Sequence, residues 1–218
     1  LLYLVSVDLR LIAIADPAVL GGRDLIEAAR RAQRGGATMI QLRMKHASTG
    51  EIFQMARKLV QELEIPVYIN DRADVALAAG ARGVHLGVED LPAAAVRDFA
   101  PQGFGIGLSV GNEEEVRLLG ASPVDYWSIG SIFRTSTKPD AGEPIGIEGF
   151  RRVARQAPPG MSLVAIGGID ASNAAQLIRA GAHGVAVISA VFGVSDVEGA
   201  ARRIREAVDR EFENRASA

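Results

Sequence analysis

Short runs of Val, Ile, Leu and Ala alternate with amphipathic stretches along the whole chain, at roughly 27 residues per pair, the length of a strand followed by a helix. The runs fall at 11–15, 38–42, 67–69, 83–86, 105–108, 126–129, 163–166 and 184–188. They are continuously apolar rather than alternating, as parallel strands covered on both faces should be. Between them, apolar residues at helical spacing predict helices over 24–34, 50–63, 71–79, 92–99, 113–119, 147–156, 173–180 and 196–212. In the first of these, Leu25, Ala28, Ala29 and Ala32 share one face. Several predicted helices run into glycine and alanine, as at Gly35-Gly36-Ala37, Gly80-Ala81, Gly120-Ala121 and Gly181-Ala182. Glycine at such a point takes the left-handed conformation at little cost. Eight strand–helix units predict an α/β chain folded as a single (β/α)8 TIM barrel, with 218 residues near the lower end for that architecture.

Leu1–Val7 is a ninth candidate strand. Leu11–Ala15 is the better first barrel strand, because Asp16-Pro17 ends it and a helix follows. Residues 1–10 are then expected to form an N-terminal extension, either an added edge strand or a plug in the barrel. The apolar start is too short to span a bilayer. It has no basic leader, so it is not read as a signal peptide. Charge is nearly balanced at a formal −2, which argues against nucleic-acid or membrane partners. Any positive site must therefore be local. The absence of cysteine excludes disulfides, thiolate chemistry and Cys-ligated metals, and it fits a cytoplasmic setting. Homo-oligomerisation is left open.

Each apolar run ends in polar residues or glycine, and the carboxyl ends of parallel strands are where such a barrel keeps its chemistry. Asp71 and Asp90 follow adjacent strands. Two carboxylates plus phosphate oxygens and water suit Mg²⁺. Each taken singly would more often cap the following helix. Gln41, Arg43 and Lys45 share one parity after the second strand, and Lys138 approaches from the sixth. Three cations beside a metal fit a diphosphate better than a monophosphate. Gly167-Gly168 and Ile188-Ser189 follow the seventh and eighth strands, where barrels bind phosphate through backbone N–H groups. Two anionic groups are therefore expected, a diphosphate with metal near the second to fourth strands and a monophosphate near the seventh and eighth. The stretch from Ile129 to Ile147 is long for a connection in a barrel and polar, so 131–146 is a candidate active-site loop. Asp16 is a candidate partner for a rim cation, His85 either a base or a packed residue, and Trp127 a core residue. His46 and His183 read as loop residues.

Six strings resemble the thiamine-phosphate synthase family. They are Gln41-Leu42-Arg43-Met44-Lys45, Ile69-Asn70-Asp71-Arg72, Gly83-Val84-His85-Leu86-Gly87 with Asp90, Ile132-Phe133 with Thr135, Thr137 and Lys138, Ala165-Ile166-Gly167-Gly168-Ile169, and Val187-Ile188-Ser189-Ala190. The family joins a hydroxymethylpyrimidine diphosphate to a hydroxyethylthiazole phosphate and releases diphosphate. The resemblance implies that Gln41, Arg43, Lys45 and Asn70 hold the pyrimidine diphosphate, that Leu42, Met44 and Ser136 are also substrate-binding, and that Asp71 and Asp90 bind Mg²⁺. It implies that Ser109 and Lys138 reach the diphosphate, and that Thr135, Thr137, Gly168, Ile188 and Ser189 hold the thiazole phosphate. Arg43, Lys45, Ser109 and Lys138 are then the catalytic set. The implied mechanism is dissociative, so no covalent nucleophile is required.

The chain departs from the common pattern at Val88, where Gln is usual, at Gly111, where His is frequent, and at Ser131 and Arg134, where Pro is frequent. Three other readings compete. One is a thiazole tautomerase, which shares the thiazole phosphate site and uses a His. Another is a Schiff-base aldolase using Lys138, although a lysine in a polar loop lacks the desolvation that lowers its pKa. The third is a non-catalytic phosphate-binding barrel.

Overall fold

The computed structural model describes residues 7–119, 121–135, 137 and 143–216. Its elements run β1 (Leu11–Ala15), α1 (Pro17–Leu20), α2 (Leu25–Arg34), β2 (Met39–Leu42), α3 (Thr49–Glu62), β3 (Val67–Asn70), α4 (Ala73–Ala79), β4 (Gly83–Leu86) and α5 (Ala93–Phe99). They continue β5 (Gly105–Val110), α6 (Glu113–Leu119), β6 (Tyr126–Ile129), α7 (Gly146–Ala154), β7 (Ser162–Ile166), α8 (Ala174–Arg179), β8 (Gly184–Val187), α9 (Ser189–Phe192) and α10 (Val197–Ala216). Each strand pairs in parallel with the next, and β8 pairs with β1, so the sheet closes into the expected (β/α)8 TIM barrel.

Local chemistry explains the helix starts. Asp24 caps α2 by accepting the Glu27 N–H. Ser48 and Glu51 form a reciprocal capping box at α3. Asp16 caps α1 with Pro17 in the first turn, the arrangement for which proline is pre-shaped. Gly36, Gly80 and Gly181 all have positive φ, as their places after helices predicted. No helix among the described residues is long and apolar enough to cross a membrane.

Side-chain alternation along the strands divides the apolar residues into two cores. Leu11, Ala13, Ile40, Leu42, Ile69, Val84 and Leu86 face outward and pack with the helices. Ile12, Ile14, Met39, Tyr68, Tyr126, Val164 and Ala186 face inward and fill the barrel. Two tyrosines fit inside because glycines oppose them. A Cβ on Gly105 would lie 1.9 Å from the Tyr68 hydroxyl oxygen, and one on Gly107 would lie 2.2 Å from the Tyr126 ring. Gly105→Ala is expected to cost about 1–3 kcal/mol through overpacking. Urea unfolding checks this, with a lowered midpoint as the expected result.

Residues 1–6 lie outside the described residues, so most of the expected edge strand or plug does too. Val7 and Leu9 pack against the inner core, and the Leu9 carbonyl oxygen lies 1.8 Å from where a Cβ on Gly184 would stand. Residues 7–9 thus pack at the amino-terminal end of the barrel against Gly184.

Candidate active site

A cavity of about 990 Å³ opens at the carboxyl ends of the strands. Gln41, Arg43, Lys45, Asn70, Asp71, Asp90, Ser109, Thr135, Thr137, Gly168, Ile188 and Ser189 all line it. A shallower depression of about 400 Å³ lies at the other end, beside Pro66, Arg82 and Phe104. It shares no residue with the first.

Two expected substrate-binding residues do not reach the cavity with their side chains. Leu42 is 1% exposed and sits in the outer core, and Met44 packs against that same core. The reason is parity: Gln41, Arg43 and Lys45 line the cavity, and the residues between them turn away. Ser136 and Lys138 lie outside the described residues.

Arg43 is half-buried and pairs with Asp16, which is 4% exposed. Asp16 also accepts the Ala18 N–H at 2.9 Å, so one carboxylate caps α1 and aims the guanidinium. Gln41 Nε2 donates to the side-chain Oδ1 of Asn70 at 2.9 Å, joining β2 to β3 across the cavity floor. Lys45 Nζ lies 2.9 Å from Asp71 Oδ2.

The capping alternative for the two acids does not hold. Helix α4 starts after Arg72 and α5 after Pro92, and neither has a side-chain cap. Asp71 has φ 66°, and it is the one described non-glycine residue with positive φ. Aspartate is among the few L-residues that adopt this conformation with modest strain, and such strain concentrates at functional sites. Its amide still donates to the His85 carbonyl at 2.8 Å, so the turn re-aims the carboxylate without leaving the sheet. Asp90 accepts the Gly87 N–H at 2.6 Å and lies within hydrogen-bonding reach of Asp71.

Burial pushes Asp90 above its ordinary 3.8. The neighbouring Asp71 carboxylate adds to the rise, while the Gly87 N–H and Lys45 oppose it. Two carboxylates held together in this way offer a paired ligand set beside the Lys45 ammonium. Among the described residues no group of three or more His, Cys, Asp or Glu could hold a metal. A pair of aspartates suits Mg²⁺, which keeps waters and takes phosphate oxygens as its remaining ligands.

The raised value also makes a stability prediction. Ionised Asp90 costs stability at any pH above its raised folded value, and the cost disappears below 3.8. Asp90→Asn is therefore expected to raise Tm at neutral pH in chelator. The gain should shrink as pH falls through the window between the raised value and 3.8. Thermal unfolding across that range checks it, and a gain that does not vary with pH would count against the assignment.

The opposite wall is built from β6, β7 and β8. Gly167 has φ 103° and Gly168 φ 63°. A Cβ on Gly167 would stand 2.1 Å from Ser131 Oγ, and one on Gly168 would stand 2.7 Å from the Arg134 carbonyl oxygen. Glycine is thus required by conformation and by the close approach of the loop after β6. That loop is anchored at both ends. Ile132 and Phe133 donate to Ile166 and Gly167, and Ile145 and Gly146 donate back to Ser131 and Ile132. Thr137 Oγ1 lies 3.4 Å from Ser189 Oγ, tying the loop to α9.

The cavity also contains residues that sequence reasoning passed over. Ser128 lines it beside Ser109, its partner in the β5–β6 register. Its signal was available, since it shares parity with Tyr126. Glu115 accepts the Gly111 N–H at 2.6 Å and an Asn112 amide hydrogen at 2.9 Å, which holds that corner of the wall. His183 instead accepts the Leu163 N–H at the amino-terminal side, and Trp127 is buried in the outer core.

The family model described as thiamine monophosphate synthase matches residues 11–191. The chain belongs to that family. A thiamine-phosphate synthase of Moorella thermoacetica is 46% identical over 87% of this chain and 91% of its own length. One of Syntrophomonas wolfei is 40% identical over 95% of this chain and 100% of its own. The solved thiamine phosphate pyrophosphorylase from Pyrococcus furiosus superposes with a TM-score of 0.82 at 38% identity, covering 94% of this chain and 97% of that one. A 3-hexulose-6-phosphate synthase structure superposes at 0.64 with 18% identity, a likeness of fold alone. Each of the six strings contributes residues to the cavity described above, and the four unusual positions, Val88, Gly111, Ser131 and Arg134, all line it.

Proposed function

We propose that this cavity joins a hydroxymethylpyrimidine diphosphate to a hydroxyethylthiazole phosphate, forming thiamine monophosphate and diphosphate. The reaction is a transferase reaction, as in the family. The observation that carries the reading is a two-sided cavity. One side gathers Arg43, Lys45, Asn70 and the Asp71–Asp90 pair, and the other gathers Thr135, Thr137, Gly168, Ile188 and Ser189.

Arg43, held by Asp16, offers its N–H groups to diphosphate oxygens. Lys45 exchanges its Asp71 partner for the diphosphate. Gln41 and Asn70 present amide groups toward the pyrimidine, and Ser109 donates to the leaving group. Asp71 and Asp90 would hold Mg²⁺, which would supply positive charge beside the diphosphate leaving group. Gly168 holds the turn after β7 at the cavity wall, where its backbone faces the thiazole phosphate, and Ser189 and Thr137 supply hydroxyls to that phosphate. The cavity then holds the thiazole nitrogen against the electron-poor pyrimidine methylene carbon as diphosphate departs. Proximity and charge stabilisation do the work, so no covalent nucleophile is needed.

The test is a coupling assay with both substrates, run with Mg²⁺ and with excess chelator. Thiamine monophosphate is expected only with metal. Tight binding of the thiazole phosphate without any product would sink the synthase reading and favour a tautomerase or a ligand-binding barrel.

A further inference from the structure

Three inward-facing side chains from successive strands form a hydrogen-bonded chain, and the proposed reaction gives a role only to its outer member, Ser109. Tyr126 on β6 lies at the inner end, with its hydroxyl 2.9 Å from His85 Nδ1. His85 on β4 is 6% exposed, and its Nε2 lies 3.0 Å from Ser109 Oγ. Ser109 on β5 reaches the cavity wall. The strands bring them together because His85 stands opposite Gly107, whose missing side chain leaves space for the Tyr126 ring.

The direction of these bonds follows from counting donors and acceptors. Tyr126 is 2% exposed. Burial raises its pKa well above the ordinary phenol value, so the hydroxyl keeps its proton. Among the described residues its side-chain hydrogen bond is the one to His85. If His85 Nδ1 carried a proton and donated, the phenol proton would be buried with no acceptor, a costly arrangement. The phenol therefore donates to Nδ1. A neutral imidazole whose Nδ1 accepts carries its proton on Nε2. That N–H donates to Ser109 Oγ, and the serine proton is left to point into the cavity.

We propose that Tyr126 and His85 are positioning residues that fix the Nε2–H tautomer and so turn the Ser109 hydroxyl proton toward an oxygen of the bound diphosphate. The last link rests on the diphosphate reading of the cavity. The tautomer and the bond direction do not.

Tyr126→Phe keeps the ring that fills the barrel and removes only the donor. In wild-type protein, nitrogen-15 NMR of labelled histidines is expected to show His85 with a protonated Nε2 and an accepting Nδ1. The signal is assigned by its loss in His85→Gln. In Tyr126→Phe the two tautomers should mix. The kcat for coupling should fall roughly tenfold, with KM for the thiazole phosphate unchanged. In a Ser109→Ala background, Tyr126→Phe should have no further effect on kcat, because its effect passes through the serine. His85→Gln places an amide N–H near the Nε2 position, and it should be severalfold more active than His85→Asn.

A protonated Nδ1 in the wild type overturns the proposal, as does a Tyr126→Phe effect that persists undiminished without Ser109. An Nε2–H tautomer in a wild-type protein that makes no product supports the bond direction and counts against the diphosphate reading instead.

Discussion

Asp71→Asn is expected to lower kcat/KM for coupling by about 10²–10³-fold, the usual cost of losing one charge-stabilising group in a closed site. Asn keeps the shape of the side chain and tolerates the φ of 66° at this position. The fold should therefore survive, and the change removes only the charge. That charge has two roles. It pairs with Lys45 at 2.9 Å, and it stands beside Asp90 in the pair proposed to bind the metal. The loss should be largest at limiting Mg²⁺ and partly recovered at high Mg²⁺, because Asp90 still offers one carboxylate. Steady-state rates across a Mg²⁺ titration check this. Wild-type activity at limiting metal would remove Asp71 from the metal site.

Arg43→Ala is expected to cost both activity and stability. The Asp16 side chain is 6% exposed and that of Arg43 15%, so truncating Arg43 leaves a nearly buried carboxylate without its cation. Breaking such a pair from one side costs about 3–5 kcal/mol. The Ala18 N–H still bonds to Asp16 and offsets part of this, so the lower end is expected. Activity should fall by about 10²-fold or more through loss of a fixed donor to the diphosphate. Arg43→Lys separates the two effects. It restores a cation for Asp16 and recovers stability, yet it lacks the planar fork and should remain impaired in coupling. Denaturant melts and kcat/KM on both variants check the pair. Equal recovery of both quantities in Arg43→Lys would show that charge alone matters at this position.

The expected architecture and the observed one agree because the signals involved are local. Strands at 11–15, 83–86 and 126–129 match Leu11–Ala15, Gly83–Leu86 and Tyr126–Ile129 residue for residue. Each is a buried parallel strand, and continuous apolar runs report that directly. Helix starts were less legible. Helices expected at Asp71 and Pro92 begin at Ala73 and Ala93. Asp71 is held in a left-handed turn by its bond to His85, and Asp90 is turned back onto the Gly87 amide. Both interactions reach outside the helix, so helical periodicity carries no trace of them.

The residues at the strand ends were named from sequence, and so was the shared parity of Gln41, Arg43 and Lys45, but the exclusion of the residues between them was not. Leu42 and Met44 belong to the same string as Gln41, Arg43 and Lys45, yet they pack outward. The apolar runs, their order and the polar residues that end them are properties of the chain itself. They determined a closed eight-stranded barrel with its chemistry at one end. Only the tertiary structure decided the pairings: Arg43 with Asp16, Asp71 with Lys45 and Asp90, and Tyr126 with His85 and Ser109. Each joins residues on different strands or strand-end turns. What brings them into contact is the register and curvature of the closed sheet, and these are set by packing across the whole barrel rather than by any one segment.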